Sequence, residues 1–355
     1  MNSSSGALVP RIIAVGTANP PTRYSQQEIL DLFRCTDPTI SKFFHNSHIQ
    51  TRYLVLPEPS VDGSMPHEDG TMLLEKHRRT SRLISRQAIE RCLESGGVAV
   101  EEIDFLATVT STGFLCPSLS AHLCMDLQFR PNLVRADLVG MGCNGGMNGL
   151  AVAAQFAQAN PGKKALLLAC EICSAAYAFE LTPVTGVVNS LFGDGAAAVI
   201  LSADAKYNAA AGPQVMDFES YLLPETIREM RFDFQDGLFR FFLARDVPYV
   251  IGEHISKPVQ NLLSRHNLHK RDIRHWLVHS GGKKVVDSIK YNLGLTSYDV
   301  RHTESILREY GNLSSTSFLF SYQRLTQERI AGEGDYGVTI AMGPGISLET
   351  GLLRW

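Results

Sequence analysis

Three residues carry the strongest chemical signal: Cys143, His279 and Asn312. Cys143 stands between ADLVGM, which reads as a strand, and NGGMNGLAVAAQFAQ, which reads as a helix of small residues. A thiol at a helix start feels the positive end of the helix dipole, which favours thiolate. Gly142, Gly145 and Gly146 permit a tight turn and close approach of a ligand to the backbone. Most cysteines are packing residues; the glycine-rich elbow puts a nucleophile on an even footing with that reading. Gly140, Gly142 and Gly145 also satisfy G-x-G-x-x-G, the dinucleotide fingerprint. That motif needs a ribose-binding acid about twenty residues further on, where this chain reads PGKK.

His279 follows the apolar run HWLV and precedes SGGKK. The C-terminal mouth of a strand is where α/β proteins place ligands. An imidazolium there would stabilise the thiolate and donate to a thioester carbonyl; the alternative is an ordinary loop histidine. Asn312 begins another helix-like stretch and is by default an N-cap. As a functional residue, its amide would complete an oxyanion site with His279. Phe192 and Phe241 are aromatic candidates for the cavity, although most phenylalanines of the stretch 231–248 read as core. The basic cluster KHRRTSRLISR reads as a solvated helix face, or as a guide for an anionic nucleotide. Cys170 and Cys173 form a lone C-x-x-C without a second pair, which reads as two semi-buried thiols rather than a zinc site.

The elements that must position these residues are written twice. Residues 88–106, AIERCLESGGVAVEEIDFL, align without gaps to residues 258–276, PVQNLLSRHNLHKRDIRHW. Each copy gives an amphipathic helix, a turn and an apolar strand. Downstream, LVGMGCNGG aligns with LREYGNLSS, pairing Gly142 with Gly311 and Cys143 with Asn312. Late in each copy a Gly-Asp turn opens a strand: FGDGAAAVILS and EGDYGVTIAMG. Alternating strands and helices imply βα units and largely parallel sheet. The expected fold is therefore α/β, with duplicated halves over residues 11–210 and 211–355 and a disordered leader over residues 1–10. The halves join near residues 209–214 and pack about a pseudo-twofold axis that brings Cys143 and Asn312 together.

Composition bounds the function. The chain has 355 residues, 44% hydrophobic, with net charge −3. That balance points to neither nucleic acid nor a membrane surface as partner. The longest apolar run, near residues 165–170, falls far short of the ~18 residues a membrane span needs. Seven cysteines, an odd number, together with a polar N-terminus unlike a signal peptide, point to reduced thiols and a cytoplasmic location.

Four stretches make the chain resemble the type III polyketide synthases, the chalcone-synthase-like branch of the thiolase-fold condensing enzymes. They are GMGCNGG, NSLFGDGAAAV, HWLVHSGGKKVVD and REYGNLSSTSFLF; the closing GPGISLE matches the family's glycine-proline-glycine loop. The likeness runs from about Arg11 to Trp355. It implies a thiolase-like fold in a layered αβαβα arrangement, with Cys143 as nucleophile, His279 and Asn312 as its partners, and Phe192 and Phe241 as gate residues. It implies a pantetheine tunnel near Gly281, Gly282 and Lys284, and less directly Arg52. It implies CoA thioesters as substrates, no metal or cofactor, and a homodimer.

The chain departs from the family pattern at Ser280, Asn144 and Cys116, where the family has Pro, an aromatic or small apolar residue, and Met. The resemblance sets Cys116 near the subunit interface and the cavity. VTSTGFLCPSLSA, CEICSAAYA and DVRHTESILREYGNLSS are similar to a bacterial branch that makes 3,5-dihydroxyphenylacetyl-CoA, a precursor in antibiotic biosynthesis. That branch implies malonyl-CoA as starter and extender, and accessory enzymes for product release. The alternatives are another type III product, such as a resorcinol, pyrone or naphthalene, or the single condensation of an initiating ketoacyl-carrier-protein synthase. A thiolase would need a second catalytic Cys, and a hydroxymethylglutaryl-CoA synthase a catalytic Glu. A non-catalytic scaffold and a dinucleotide-dependent oxidoreductase are the remaining classes.

Overall fold

The computed structural model describes residues 8–177, 179–182, 185–207 and 211–355. Its strands are β1 (Arg11–Ala18), β2 (Arg23–Ser25), β3 (Thr51–Tyr53), β4 (Ile103–Thr110), β5 (Val134–Val139), β6 (Lys164–Glu171), β7 (Gly195–Ser202), β8 (Gln214–Leu222), β9 (Met230–Gln235), β10 (Leu238–Leu243), β11 (Ile273–Val278), β12 (Tyr336–Gly343) and β13 (Ser347–Arg354). Its helices are α1 (Gln26–Leu32), α2 (Pro38–His45), α3 (Gly70–Gly96), α4 (Leu119–Asp126), α5 (Gly145–Ala159), α6 (Cys173–Ala176), α7 (Gly186–Leu191), α8 (Val247–Arg265), α9 (Lys283–Leu293), α10 (Arg301–Tyr310) and α11 (Ser317–Glu328).

Nine strands form one sheet in the order β5-β4-β6-β7-β1-β8-β13-β12-β11. In the first half β4 runs parallel to β5 and β6, while β7 is antiparallel to β6 and β1. The second half repeats this plan: β11 is parallel to β12, and β13 is antiparallel to β12 and β8. The halves meet at β1 and β8, where Arg11 pairs with Gln214 and Val215 N–H donates to Pro10. Residues 8–10 are described and Pro10 is buried there, so the leader expected over residues 1–10 does not hold for these three; residues 1–7, like 209 and 210 of the expected junction, lie outside the described residues.

The repeat breaks at one element. The first half places the strand β5 ahead of Cys143, whereas the aligned stretch ahead of Asn312 is the helix α10. LREY carries its apolar residues at helical spacing: Ile306 and Leu307 are buried with His302 and Thr303, and Glu304 and Arg308 face out.

Packing follows from the patterns. Both β6 and β7 are buried along their whole length, as apolar runs covered on two faces should be. One core cluster takes residues from α5, α11 and both halves of the sheet, including Met147, Leu150, Leu167, Phe318, Leu319 and Leu353. A second packs α8 and α9 on the outer face of the C-terminal half, and a third packs α3 on the outer face of the N-terminal half. The result is five layers with α5 and α11 in the middle. α3 starts at Asp69, whose carboxylate caps Met72 N–H, and stops at Gly97 in the left-handed region. Its basic stretch is not a uniformly solvated face: Lys76 and His77 are buried, and Lys76 pairs with buried Glu68 at 2.5 Å.

Candidate active site

Cys143 lies in a single 3-10 turn, Gly142–Asn144, between β5 and α5. Gly142 has φ +74, and a Cβ on it would lie 2.1 Å from the Pro344 ring. Only glycine therefore makes this elbow. α5 begins directly after it and presses on the turn that follows Asn312: a Cβ on Gly146 would lie 2.1 Å from the Ser315 carbonyl oxygen. This close approach sets the two helix starts against each other. Ser314 Oγ consequently lies 3.4 Å from Cys143 Sγ and donates to it.

Asn312 is fixed by its backbone on both sides. Its N–H donates to Leu191, its carbonyl accepts from Gly193 N–H at 3.0 Å, and it bridges to Phe192. Its side-chain oxygen accepts from Ser314 N–H at 2.8 Å. Its amide nitrogen reaches only the Gly281 carbonyl, at a long 3.4 Å, and so retains donor capacity. His279 leaves the end of β11, its N–H donating to Ile340 at 2.8 Å. Its ring is buried and Nδ1 has no hydrogen-bond partner among the described residues. A Cβ on Gly281 would come within 3.2 Å of that ring.

Burial dominates the electrostatics. It pushes the Cys143 thiol up to about 12, against the hydrogen bond from Ser314, and pushes His279 down to about 3. Lost hydration thus works against the thiolate and imidazolium expected from the sequence, in opposition to the helix-start effect.

The thiol faces a small cavity of about 30 Å³, walled by Cys143, Phe192, Phe232, Phe241, Cys173 and Tyr177 among others. Phe192 and Phe241 meet edge to face at 5.5 Å, and Phe232 packs on Phe241 at 4.9 Å. Phe241 and Phe232 belong to the β9–β10 hairpin, which forms the roof. His279 and Asn312 are not on the wall of this small cavity.

Two sequence-derived residues take other places. Arg52 is fully buried, with Nε and Nη2 donating to Gln26 and Nη1 donating to the Phe192 carbonyl at 2.7 Å. Fully buried, it anchors the backbone of Phe192 and cannot meet a substrate from solvent. Cys116 is exposed on the loop with Phe114, outside the wall of the Cys143 cavity, because the chain turns outward there. Gly281 and Gly282 form the turn between His279 and α9; Lys284 is exposed in the first turn of that helix.

Sequence reasoning missed a buried polar group under the thiol. Glu171 ends β6 and accepts from Ser315 Oγ at 2.5 Å and from Ser111 N–H at 3.0 Å. Burial raises its carboxyl to about 7. The signal was present: an acid closing an otherwise apolar strand. Ser111 also accepts from Gly142 N–H at 2.7 Å, tying Glu171 to the elbow.

Comparisons with known proteins place this geometry. The N-terminal domain of chalcone and stilbene synthases matches residues 2–205, and the C-terminal domain of the same synthases matches residues 215–355. The chain belongs to that family, the type III polyketide synthases, and is an enzyme of the acyltransferase kind. Among its relatives is 3,5-dihydroxyphenylacetyl-CoA synthase of Streptomyces toyocaensis, 48% identical over 98% of this chain and 90% of the relative. The same enzyme from Amycolatopsis orientalis is 47% identical over 98% and 94%. Among solved structures, 1,3,6,8-tetrahydroxynaphthalene synthase from Streptomyces coelicolor A3(2) superposes with TM-score 0.88 at 27% identity, covering 97% of this chain and 99% of that one. The layered thiolase-like fold expected from the sequence is the fold of these neighbours.

Proposed function

We propose that this enzyme condenses malonyl-CoA units on Cys143 and cyclises the chain to 3,5-dihydroxyphenylacetyl-CoA. The observation that carries the reading is near-half identity, over nearly the whole length, to synthases of that name. In loading, Cys143 Sγ attacks a CoA thioester; its proton passes through the His279 imidazole to the departing CoA thiolate. In extension, His279 and the spare amide hydrogens of Asn312 hold the thioester oxygen of malonyl-CoA. The bond to CO2 breaks, its electron pair forms an enolate, and preorganised donors stabilise the charge on oxygen. The enolate carbon attacks the acyl group on Cys143 and displaces the Cys143 thiolate, which leaves the lengthened chain on CoA; Cys143 then attacks that thioester, takes the chain back and releases CoA. Phe192, Phe232 and Phe241 exclude water, which would quench the enolate. Gly281 and Gly282 in the turn before α9, with exposed Lys284 in its first turn, fit the entry path of a CoA thioester. No resident metal or cofactor enters this scheme.

The enzyme works as a cytoplasmic homodimer in this reading. Among the described residues no helix is long and apolar enough to cross a membrane. β5 is an edge strand with Val134 and Val139 exposed, and Phe114, Met125 and Met141 extend an apolar patch beside it. Such an edge invites pairing with a second copy. Product release falls to accessory enzymes of an antibiotic pathway. Incubation with malonyl-CoA alone, followed by mass spectrometry of free CoA and products, tests the reading. A dihydroxyphenylacetyl product is expected; a resorcinol, pyrone or naphthalene product would overturn the product assignment and keep the condensing chemistry.

A further inference from the structure

Among the described residues there is a cavity larger than the one at Cys143. A cleft of about 680 Å³ opens between α10 and α11, within the size range of small-molecule sites. One of its walls, α10, stands where the first half of the fold has the strand β5. Tyr310 and buried Phe320 form an aromatic floor, their rings 5.4 Å apart.

The charges at the rim nearly cancel. Arg301 pairs with Glu328 at 2.7 Å, Arg324 with Glu309 at 2.5 Å, and Glu304 with Lys290 at 3.4 Å. Arg308 reaches only Glu309, at 3.3 Å, and that carboxylate already serves Arg324. Among the described residues, Arg308 is thus the cation on this cleft without a counter-ion of its own. His302 lines the same cleft with its residue 4% exposed. Its Nε2 lies 3.3 Å from a Glu328 oxygen but makes no hydrogen bond. Gln323 uses its amide oxygen to accept from Thr17, so its NH2 donors remain available.

We propose that this cleft is a second ligand site, and that it binds a small aromatic monocarboxylate. Tyr53 already stacks on Tyr310, and the Arg324 guanidinium lies over the Tyr310 ring, so the ligand's ring packs on that guanidinium and the carboxylate takes the paired donors of Arg308. One uncompensated cation matches one negative charge; a di- or triphosphate would bring more charge than the rim can neutralise. The site is separate from the condensing cavity, and the inference does not depend on which product that cavity makes. Tyr310 is two residues from Asn312, so an occupant bears on the element that carries the candidate oxyanion donor.

The test uses the full chain, carboxamidomethylated at Cys143 so that the condensing cavity is filled. Calorimetric titration with phenylacetate is expected to show saturable one-to-one binding. Arg308→Glu is expected to weaken it by about tenfold or more, the value of one charge-assisted hydrogen bond. Gln327→Trp, which fills the cleft from the exposed end of α11, is expected to abolish it. Both positions are exposed, and melting curves matching the parent would show that the variants fold. Arg308→Lys should keep part of the affinity. Absence of saturable binding by the parent protein overturns the proposal, as does unchanged affinity in both the Glu and the Trp variants. Tighter binding of inorganic pyrophosphate than of phenylacetate overturns the assignment of ligand class.

Discussion

Cys143 and Asn312 divide the proposed chemistry, and their substitutions should separate. Cys143→Ala removes the acyl acceptor but leaves His279 and Asn312 in place. It is expected to make no elongated product and still release CO2 from malonyl-CoA. Asn312→Ala removes a donor to the enolate oxygen and is expected to slow decarboxylation itself by about 10²–10³-fold. Following labelled CO2 and products in parallel checks both; elongation by the Cys143→Ala protein would sink the nucleophile assignment. Glu171 offers a test of a different kind. Burial lifts its carboxyl from 4.5 to about 7, and that of Asp194 from 3.8 to about 6. Between those values the folded protein holds protons that the unfolded chain has released. Stability therefore falls as pH rises through this window and levels above it. Glu171→Gln is expected to flatten the decline of melting temperature between about pH 5 and pH 8. An unchanged slope would mean that Glu171 is ionised in the fold.

At the scale of elements, the β9–β10 hairpin decides access to the thiol. A cavity of about 30 Å³ cannot hold a growing chain, so the roof must lift for turnover. Phe241→Ala removes one ring of the Phe192–Phe232–Phe241 stack. It is expected to speed alkylation of Cys143 by iodoacetamide about tenfold, corresponding to ~1.4 kcal/mol of opening free energy. Peptide mapping distinguishes this from reaction at Cys170 or Cys173, which are equally buried. An unchanged rate at Cys143 would place the barrier to entry elsewhere than the hairpin. Arg52 belongs to this scale as well: it secures Phe192 from behind rather than meeting substrate.

At the scale of the whole molecule, the exposed β5 edge and its apolar surroundings carry the dimer proposal. Val139→Asp places a charge on that edge and is expected to shift the protein to monomer in size-exclusion chromatography with light scattering. A dimer that persists unchanged would move the interface elsewhere. The substitution lies on an exposed strand, so the monomer should keep its fold and show whether condensation needs two chains.

The duplicated plan was legible in the sequence because strands and helices have their own periods, and the glycines of GMGCNGG announce a turn that few other residues can make. The alignment of the two copies also set the Cys143 elbow against the turn that follows Asn312, where Ser314 reaches the thiol. Other features had no local signature. LREY repeats the position of a strand yet forms the helix α10, since its apolar residues fall at helical spacing and pack against the layer beneath. The family resemblance set Arg52 near the pantetheine tunnel; only the fold shows it buried, donating to Gln26 and the Phe192 carbonyl. The charge states at Cys143, His279 and Glu171 depend on how much water the surrounding layers remove, and the cleft at α10 depends on which neighbour that helix lacks. The sequence by itself determined the elements and the residue types at the helix starts, because these rest on local geometry. Tertiary structure alone decided burial, ionisation and cavity shape, because those are set by residues distant in the chain.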